Sequence, residues 1–305
     1  MARRQSSDLE GRMTSIRAEI DRRLATIVPG EDVPPEKLHR AMRHSLLAPG
    51  KRIRPVITIL TAEALGASCD AALDPACAVE MVHTASLILD DLPFMDDAAL
   101  RRGQPANHVV FGQDIATLAA VSLLNRAYGV LATAPGLNNA RRLELVDALA
   151  RMIGDDGIVS GQVHDLQLTG QAGAGLGELE RMAGQKTGAL FVAGAAIGAG
   201  VAGVSGERLD AVQAFAWDLG LCFQVLDDLA DCHGSHASTG KDVGKDGVKA
   251  TFVSLMGSEK AREVSQQFAR AAVRELEPIG PAADTLAQLA QLLVDRTLEF
   301  TAHRQ

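Results

Sequence analysis

The sequence predicts an all-α protein. Aromatic residues make up only 3% of its 305 residues, whereas strands favour aromatic and β-branched side chains. No stretch sustains the alternation of apolar and polar residues that marks a half-buried strand. Alanine and leucine are abundant instead, as suits packed helices. No linker divides the chain, so we expect a single helical domain over residues 1–305.

Proline and glycine punctuate the first half of the chain. Pro29-Gly30 ends an amphipathic first helix, and Pro34 or Pro35 can open the second, because proline suits the first helical turn. Asp74-Pro75 is expected to begin a long helix whose apolar residues recur with helical spacing. The predicted helices are residues 8–28, 36–47, about 54–66 and 76–91.

Turn-forming residues divide the second half in the same way. Breaks are expected at 134–139, at 154–157, in a Gly/Ala loop over 169–177 and in a Gly, Ser, His and Lys-rich loop over 232–249. The predicted helices are residues 112–133, 140–153 and 158–168, and about 178–202, 207–231, 250–275 and 282–302.

Composition excludes several functional classes. The formal net charge is −8, which argues against a nucleic-acid partner. The four cysteines lack metal-type spacing and favour a reducing compartment. The N-terminal residues are basic but lack the apolar core that a signal peptide has. The most apolar stretch, residues 189–204, is too short and glycine-rich for a membrane span. We therefore expect a cytoplasmic protein without a membrane span.

Two aspartate clusters are the most informative feature. The first is Asp90-Asp91-Leu-Pro-Phe-Met-Asp96-Asp97, and the second is Asp227-Asp228-Leu-Ala-Asp231. Each follows an apolar run, yet carboxylates are rarely buried unless they are paired or bound to a cation. Asp227 and Asp231 share a helix face because they are four residues apart. Oxygen-only ligands favour Mg²⁺ over Zn²⁺, and such sites usually bind phosphate through the metal. Alone, either cluster could equally be a solvated helix end.

Local groups of basic residues fit a phosphate site on this acidic background. They are Lys51 with Arg52 and Arg54, then Arg101-Arg102, then Lys186 at the start of a predicted helix, and Lys241, Lys245 and Lys249. Arginine binds phosphate through its planar fork, and lysine acts as a point charge. A Walker-type GxxxxGK[ST] motif is absent from the sequence, so a P-loop nucleotide enzyme is excluded. Together the groups predict a site for two diphosphates and Mg²⁺.

Six sequence blocks in a fixed order carry a family resemblance. They are Gly50-Lys-Arg-Ile-Arg-Pro55, residues 80–97, Leu100-Arg-Arg-Gly-Gln-Pro105, Gly161-Gln162 with Asp165-Leu166, Lys186-Thr187-Gly188, and residues 223–231 with Gly240-Lys241. The chain resembles the trans-isoprenyl diphosphate synthases, or polyprenyl synthetases, and most of all the bacterial geranylgeranyl diphosphate synthases. That resemblance implies an all-α isoprenoid-synthase-type bundle around a deep central cavity, a homodimer, and three Mg²⁺ ions per active site.

The resemblance also assigns roles, residue by residue. It implies that the main Mg²⁺ ligands are Asp90, Asp96 and Asp227, with Asp91, Asp228 and Asp231 nearby. It implies that isopentenyl diphosphate is bound by Lys51, Arg54, His83 and Arg102, and the allylic diphosphate by Arg101, Lys186, Lys241 and Lys249. The reacting centre would be lined by Thr187 and Gln224, beside Lys186. The allylic substrates would be dimethylallyl, geranyl and farnesyl diphosphate.

Residues upstream of Asp90 predict the product length. One helical turn is about 5.4 Å, so Ser86, Ala85 and Val82 lie progressively deeper along the wall of the tail cavity. Farnesyl-type bacterial relatives typically carry an aromatic residue at the position of Ala85. The small side chain here leaves room for a longer tail, which predicts geranylgeranyl diphosphate.

Three other functions stay open from the sequence. A farnesyl diphosphate synthase would share every motif and differ only in product. A class I terpene cyclase usually carries an Asn/Ser/Glu-type second motif and needs no isopentenyl site. A non-catalytic regulatory subunit tends to lose its aspartates, whereas this chain keeps both clusters. Turnover by the purified chain alone separates the last of these from the enzymes.

Overall fold

Helices carry nearly all of the chain that the structure describes. The computed structural model describes residues 2–169, 175–233 and 250–302. Its helices are α1 Ala2–Ile27, α2 Glu36–Leu46, α3 Ile53–Ala64, α4 Cys69–Asp90, α5 Asn107–Phe111, α6 Gln113–Ala132, α7 Asn139–Ile153, α8 Ile158–Leu168, α9 Leu176–Ala183, α10 Ala189–Val201, α11 Glu207–His233, α12 Phe252–Glu275 and α13 Asp284–Ala302. The all-α prediction is confirmed.

Two short elements depart from the expected pattern. A two-stranded antiparallel hairpin pairs β1, Leu100–Arg101, with β2, Gln104–Pro105. These strands are too short for a period-two pattern to reveal them. A 3₁₀ turn, Gly280–Ala283, precedes α13. The hairpin matters for the site because it carries Arg101 and its neighbour Arg102.

The expected start of the fourth helix at Asp74-Pro75 is wrong. Helix α4 begins at Cys69, because the Ser68 hydroxyl caps it by accepting a hydrogen bond of 3.2 Å from the backbone N–H of Ala71. Pro75 lies inside the helix, where its missing N–H removes one backbone hydrogen bond without ending the helix. Helix α4 therefore begins at Cys69, well before the predicted start at residue 76.

Helix α4 lies at the centre of the bundle and packs against α3, α6 and α10. Helix α10 approaches α3 closely because glycine faces the crossing: a Cβ on Gly198 would lie 2.5 Å from the carbonyl oxygen of Thr58. The last part of the helix predicted over about 178–202 is thus confirmed as α10, Ala189–Val201.

Within the described residues, three helices, α4, α6 and α11, are long and apolar enough to cross a membrane, with 67%, 33% and 56% of the best window buried inside the protein.

Helix α11 joins two apolar clusters. Its first half contributes Val212 and Phe215 to the main core around α3, α4 and α10. Its second half contributes Val225 and Leu229 to a smaller core with α9 and α12. Because the second aspartate cluster lies at the end of this helix, both cores hold it in place.

A π-helical turn, Gly184–Gly188, interrupts the helix expected over residues 178–202. Two helices cross this turn at glycines. A Cβ on Gly161 of α8 would lie 2.3 Å from the backbone nitrogen of Lys186, and one on Gly220 of α11 would lie 2.6 Å from the Cα of Gly188. Single π turns inside helices are frequently found at functional sites.

Replacing Gly161 by alanine should destabilise the protein. The added methyl group overlaps backbone that cannot move aside easily, so we expect a loss of about 1–3 kcal/mol in the free energy of unfolding, measured by chemical denaturation. Gly11→Ala is the matched control, since a Cβ at Gly11 meets nothing within 4 Å and alanine favours a helix. Equal stability of Gly161→Ala and the wild type would contradict this close packing.

Candidate active site

The first aspartate cluster forms a tight loop at the end of α4. The backbone N–H of Asp96 donates to the carbonyl oxygen of Asp90 at 2.9 Å, and that of Ala98 donates to Asp91 at 3.2 Å. Pro93 cannot continue the helix, so the chain turns back and brings Asp96 beside Asp90. Burial raises the pKa of Asp90 to about 6; Lys186 opposes the rise and the charge of Asp96 adds to it.

Asp91 pairs with Arg101 of the hairpin. Its side chain is buried and accepts hydrogen bonds from Arg101, from Nε at 2.8 Å and also from Nη2. Burial raises the pKa of Asp91, and the bonds from Arg101 oppose the rise. The structure therefore places Asp91 with a cation of β1 rather than with Asp90 and Asp96.

The second cluster is connected to α12 and to the π turn. Asp228 accepts 2.8 Å hydrogen bonds from the Gln224 amide and from the backbone N–H of Phe252. The Thr187 hydroxyl donates to Gln224 Oε1 at 2.7 Å. Burial raises the pKa of Asp228 to about 7, although both hydrogen bonds oppose the rise. The predicted partners Thr187 and Gln224 are thus brought together, with Asp228 fixing the amide orientation.

Lys186 lies in the π turn, so the expectation that it opens a helix is wrong. Its ammonium group contacts Asp165 of α8, Nζ to Oδ2, at 2.6 Å. Asp165 is buried, and its role was missed from the sequence, although it stands in one of the recognised blocks. Asp165 therefore holds Lys186 in place, and the charge of Lys186 lowers the pKa of Asp90 in the first cluster.

A group of cations faces His83 of α4. Arg54 Nη1 lies 3.2 Å from His83 Nε2, and its guanidinium stands 5.0 Å from the centre of the Phe191 ring. Because arginine cannot accept a hydrogen bond, His83 accepts through Nε2 and carries its proton on Nδ1. Lys51 is exposed, with Nζ 5.7 Å from the centre of the Phe223 ring. The structure thus brings Arg54 and His83 into contact, with the charge of Arg102 acting on both, whereas Lys51 lies against Phe223.

Glu80 is the buried counter-charge of this group, and it was missed from the sequence. Its Oε1 lies 2.6 Å from Arg52 Nη1 and 3.2 Å from Arg102 Nη2, and the Glu80 side chain is 1% exposed. Arg52, grouped from the sequence with the phosphate-type cations, is buried and also bonds Asp21 at 2.8 Å. Arg52 is therefore a structural partner of Glu80, and it leaves Lys51 and Arg54 to face the site.

Burial and neighbouring cations set the charge states here. The pKa of His83 is lowered well below its usual value by burial and then by Arg54 and Arg102, so His83 is neutral at pH 7. Burial lowers the pKa of Arg54 to about 10, with Glu80 opposing the fall. At pH 7 the group keeps its arginine charges and one neutral imidazole, an arrangement suited to a polyanion.

Charge interactions connect both clusters to the basic residues. The charge of Lys186, beside Thr187 and Gln224, acts on Asp90 of the first cluster. The charge of Asp227 in the second cluster acts on Arg54. Asp231 lies one turn beyond Asp227 on α11. Lys241, Lys245 and Lys249 lie outside the described residues.

The residues predicted to set product length lie in the second half of α4. Val82 and Ala85 are buried in the main core. Ser86 is half-buried, and its hydroxyl donates to the carbonyl oxygen of His83 at 2.9 Å. Their side chains are small, as the sequence indicated, and no aromatic residue stands at position 85.

Among the described residues, no three His, Cys, Asp or Glu side chains are close enough to form a metal cage by themselves. Carboxylate oxygens are nevertheless the donors that Mg²⁺ prefers, and Mg²⁺ in phosphate-transfer sites is typically held by one or two carboxylates plus substrate phosphates. Besides burial, the charges of Asp96 and Asp91 raise the pKa of Asp90, and those of Asp227 and Asp231 raise the pKa of Asp228; a bound cation would relieve this repulsion. The donor set therefore fits Mg²⁺ that is completed by diphosphate.

The family model for polyprenyl synthetases matches residues 35–280. The chain belongs to this family. It is 44% identical to geranylgeranyl diphosphate synthase of Pantoea ananas over 261 residues, 85% of each chain. It is also 44% identical to chloroplastic geranylgeranyl pyrophosphate synthase of Catharanthus roseus over 250 residues, 81% of this chain and 70% of that protein.

A solved structure has the same architecture. Geranyltransferase from Helicobacter pylori, complexed with magnesium and isoprenyl diphosphate, superposes with a TM-score of 0.84 at 29% identity, covering 95% of this chain and 97% of that one. The prediction of an isoprenoid-synthase-type helical bundle is confirmed.

Glu80→Gln should destabilise the protein strongly. Removal of this buried negative charge leaves Arg102 without its counter-ion and Arg52 with only the half-exposed Asp21, which costs about 3–5 kcal/mol in the free energy of unfolding, measured by chemical denaturation. Glu144→Gln is the matched control. Glu144 is exposed and pairs with Arg141 at 2.6 Å within one helix, so its loss should cost less than about 1 kcal/mol. Similar losses in both variants would contradict the role of Glu80.

Proposed function

We propose that this protein is a geranylgeranyl diphosphate synthase, a prenyltransferase that joins isopentenyl diphosphate head-to-tail to allylic diphosphates. The observation that carries this is the charge coupling of two aspartate clusters with two cation groups: Lys186 acts on Asp90, and Asp227 acts on Arg54. Lys186 and Arg101 lie on the allylic side, and Arg54 with His83 lies on the isopentenyl side. A terpene cyclase needs only one diphosphate site, and a silent subunit needs neither cluster.

We assign Asp90, Asp96 and Asp227 as the main Mg²⁺ ligands and three ions to each active site. Asp231 lies close by. Asp91 and Asp228 already accept protein hydrogen bonds, so we place them behind the metal positions. When bound, Mg²⁺ neutralises the charge that develops on the leaving diphosphate.

The residues of this chain supply orientation and charge. Lys186 and Arg101 hold the allylic diphosphate, together with Lys241 and Lys249, so that the C–O bond breaks with its electrons on the diphosphate. Lys51, Arg54, His83 and Arg102 fix isopentenyl diphosphate so that its double bond attacks the allylic carbon. Thr187 and Gln224 turn oxygen atoms toward the developing positive charge. The departed diphosphate takes the proton that is lost in the last step.

We propose that the protein works as a homodimer. Helices α5 and α6 present an apolar face that no described residue covers, formed by Val109, Val110, Leu118 and Val121, which are 55%, 48%, 54% and 46% exposed. Contiguous exposed apolar side chains of this kind mark protein contacts. One domain over 1–305, a cytoplasmic location, and the absence of nucleic acid and of a membrane span remain predictions from the sequence.

The test is product analysis with the purified protein. Incubation with Mg²⁺, isopentenyl diphosphate and each allylic starter (dimethylallyl, geranyl or farnesyl diphosphate) should give geranylgeranyl diphosphate. A farnesyl product would support the prenyltransferase activity and reject the predicted geranylgeranyl chain length. No product with any starter would reject the proposal in favour of a cyclase or a silent subunit.

Enlarging Ala85 should shorten the product. A phenylalanine side chain at this position would fill the tail cavity one turn beyond Asp90, so Ala85→Phe should release mainly farnesyl diphosphate. Ala85→Gly is the control and should keep the geranylgeranyl product. Chromatography of the dephosphorylated alcohols measures the shift, and turnover of geranyl diphosphate shows that the variant is folded. An unchanged product from Ala85→Phe would remove this residue from the tail wall.

Mg²⁺ binding should weaken as pH falls from 8 to 6. The pKa values of Asp90 and Asp228 are raised to about 6 and about 7, so protons compete with the cation in this range. Without metal, the folded protein holds these protons more tightly than the unfolded chain, so stability should fall as pH rises from about 4 to about 7. Thermal unfolding with Mg²⁺ and inorganic diphosphate, titrated at each pH, measures both effects. A midpoint Mg²⁺ concentration that does not vary with pH would contradict the competition between protons and the cation.

A further inference from the structure

The indole ring of Trp217 lies against the π turn, Gly184–Gly188. Trp217 is the only tryptophan in the chain and belongs to α11. A Cβ on Gly184 would lie 2.3 Å from its Cη2, and a Cβ on Gly188 would lie 3.8 Å from its Cε3. Because these two glycines are the first and last residues of the turn, the ring covers the turn from end to end.

One face of α11 meets this turn. Trp217, Gly220 and Gln224 follow the i, i+3, i+7 spacing of a single helix face. Gly220 approaches Gly188 closely, and Gln224 accepts the hydrogen bond of the Thr187 hydroxyl. Of the three residues on this face, only Trp217 has a large apolar side chain to pack against the turn.

Helix α8 holds the middle of the turn. Gly161 of α8 approaches the backbone nitrogen of Lys186, as described above. Asp165 contacts the Lys186 ammonium group at 2.6 Å, and His164 Nδ1 lies 2.8 Å from Gln185 Oε1. The polar side chains of the turn are therefore held from α8, whereas its two glycine ends pack against the Trp217 ring.

The turn determines where Lys186 and Thr187 point. Helices α9 and α10 continue from either side of it, so the alternative backbone is an unbroken α-helix. A shift by one residue rotates a helical side chain by about 100°, which would take both side chains away from their present partners. Because π turns are rare in helices, packing along the whole turn is what favours it over the α-helical alternative.

We propose that Trp217 is a positioning residue. Its ring holds the π turn so that Lys186 is directed toward the allylic diphosphate and Thr187 toward the reacting centre. This role rests on the proposed function, in which Lys186 and Thr187 serve the allylic substrate. Arg54 and His83 belong to α3 and α4 and contact each other, so binding of isopentenyl diphosphate should not depend on Trp217.

Trp217→Leu tests this role, because leucine favours a helix but is too short to cover both glycines. In the presence of Mg²⁺, Kd for a non-reactive thio analogue of farnesyl diphosphate, measured by calorimetry, should rise about 5–10-fold, the equivalent of a weakened charge-assisted hydrogen bond. KM for isopentenyl diphosphate should stay within about twofold of the wild type. Val273→Ala on α12 is the control, since Val273 is 38% exposed and Trp217 is 39% exposed, and it should change neither constant. Circular dichroism shows that each variant is folded.

Gly184→Ala tests the same contact from its other side. The added methyl group overlaps the indole ring and displaces it, so Kd for the analogue should again rise about 5–10-fold. In the Trp217→Leu background the methyl group has room, and Gly184→Ala should change Kd less than about twofold. Equal effects of Gly184→Ala in both backgrounds overturn the coupling between ring and turn. If Trp217→Leu does not fold, Gly184→Ala decides by the same comparison of the two substrates.

The binding measurement needs no turnover, so it separates this role from the proposed function. Unchanged binding of the analogue by a folded Trp217→Leu protein overturns the positioning role. Equal weakening of both substrates, or the same loss in Val273→Ala, overturns it as well, because either result shows general damage. Binding that depends on Trp217 in a protein that forms no prenyl product supports the positioning role and rejects the proposed function instead.

Discussion

Glu80 makes the cationic half of the site possible. It lies in the middle of α4, 1% exposed, between Arg52 and Arg102. Buried cations repel one another and lose solvation, so a group such as Arg52, Arg54 and Arg102 needs an internal anion to fold. One carboxylate shared by two guanidiniums satisfies that need while leaving Arg54 and the exposed Lys51 directed toward the site. The cations are held in place before any diphosphate arrives.

In the half of the site that we propose for the allylic diphosphate, carboxylates also hold the cations in place, but here each cation has its own carboxylate. Arg101 is held by Asp91, and Lys186 is held by Asp165. In each pair a buried carboxylate fixes one cation. The second aspartate of each Asp-Asp pair, Asp91 or Asp228, orients a neighbour, and we propose that Asp90, Asp96 and Asp227 act through metal. In the second cluster that neighbour is Gln224, bonded to Asp228.

The sequence predicted the helices and the two clusters because their signals are local. Pro29-Gly30 and the break at 154–157 end helices wherever they lie in a fold, and the clusters carry their own spacing. The start of α4 was misjudged because the cap at Ser68 outweighs the proline at position 75. The π turn was missed because it depends on two helix crossings, at Gly161 and Gly220, that no local pattern encodes.

Glu80 was missed for a related reason. A single glutamate in an apolar helix forms no motif, and its partners Arg52 and Arg102 lie 28 and 22 residues away. Charge balance in the interior is a property of the packed helices, so it becomes visible only when those helices are placed. The candidate ligands themselves were predictable from the sequence because the family resemblance gives their positions, and the structure shows what supports Arg101, Lys186 and Gln224.

The most direct test is a crystal structure with Mn²⁺ in place of Mg²⁺, isopentenyl diphosphate and a non-reactive farnesyl diphosphate analogue. Anomalous scattering then locates each metal. The account predicts metals between the two clusters, bound by Asp90, Asp96 and Asp227, with Asp91 still bonded to Arg101 and the second diphosphate on Arg54, His83 and Arg102. Metal bound to Asp91, or both diphosphates on one side of the site, would contradict it.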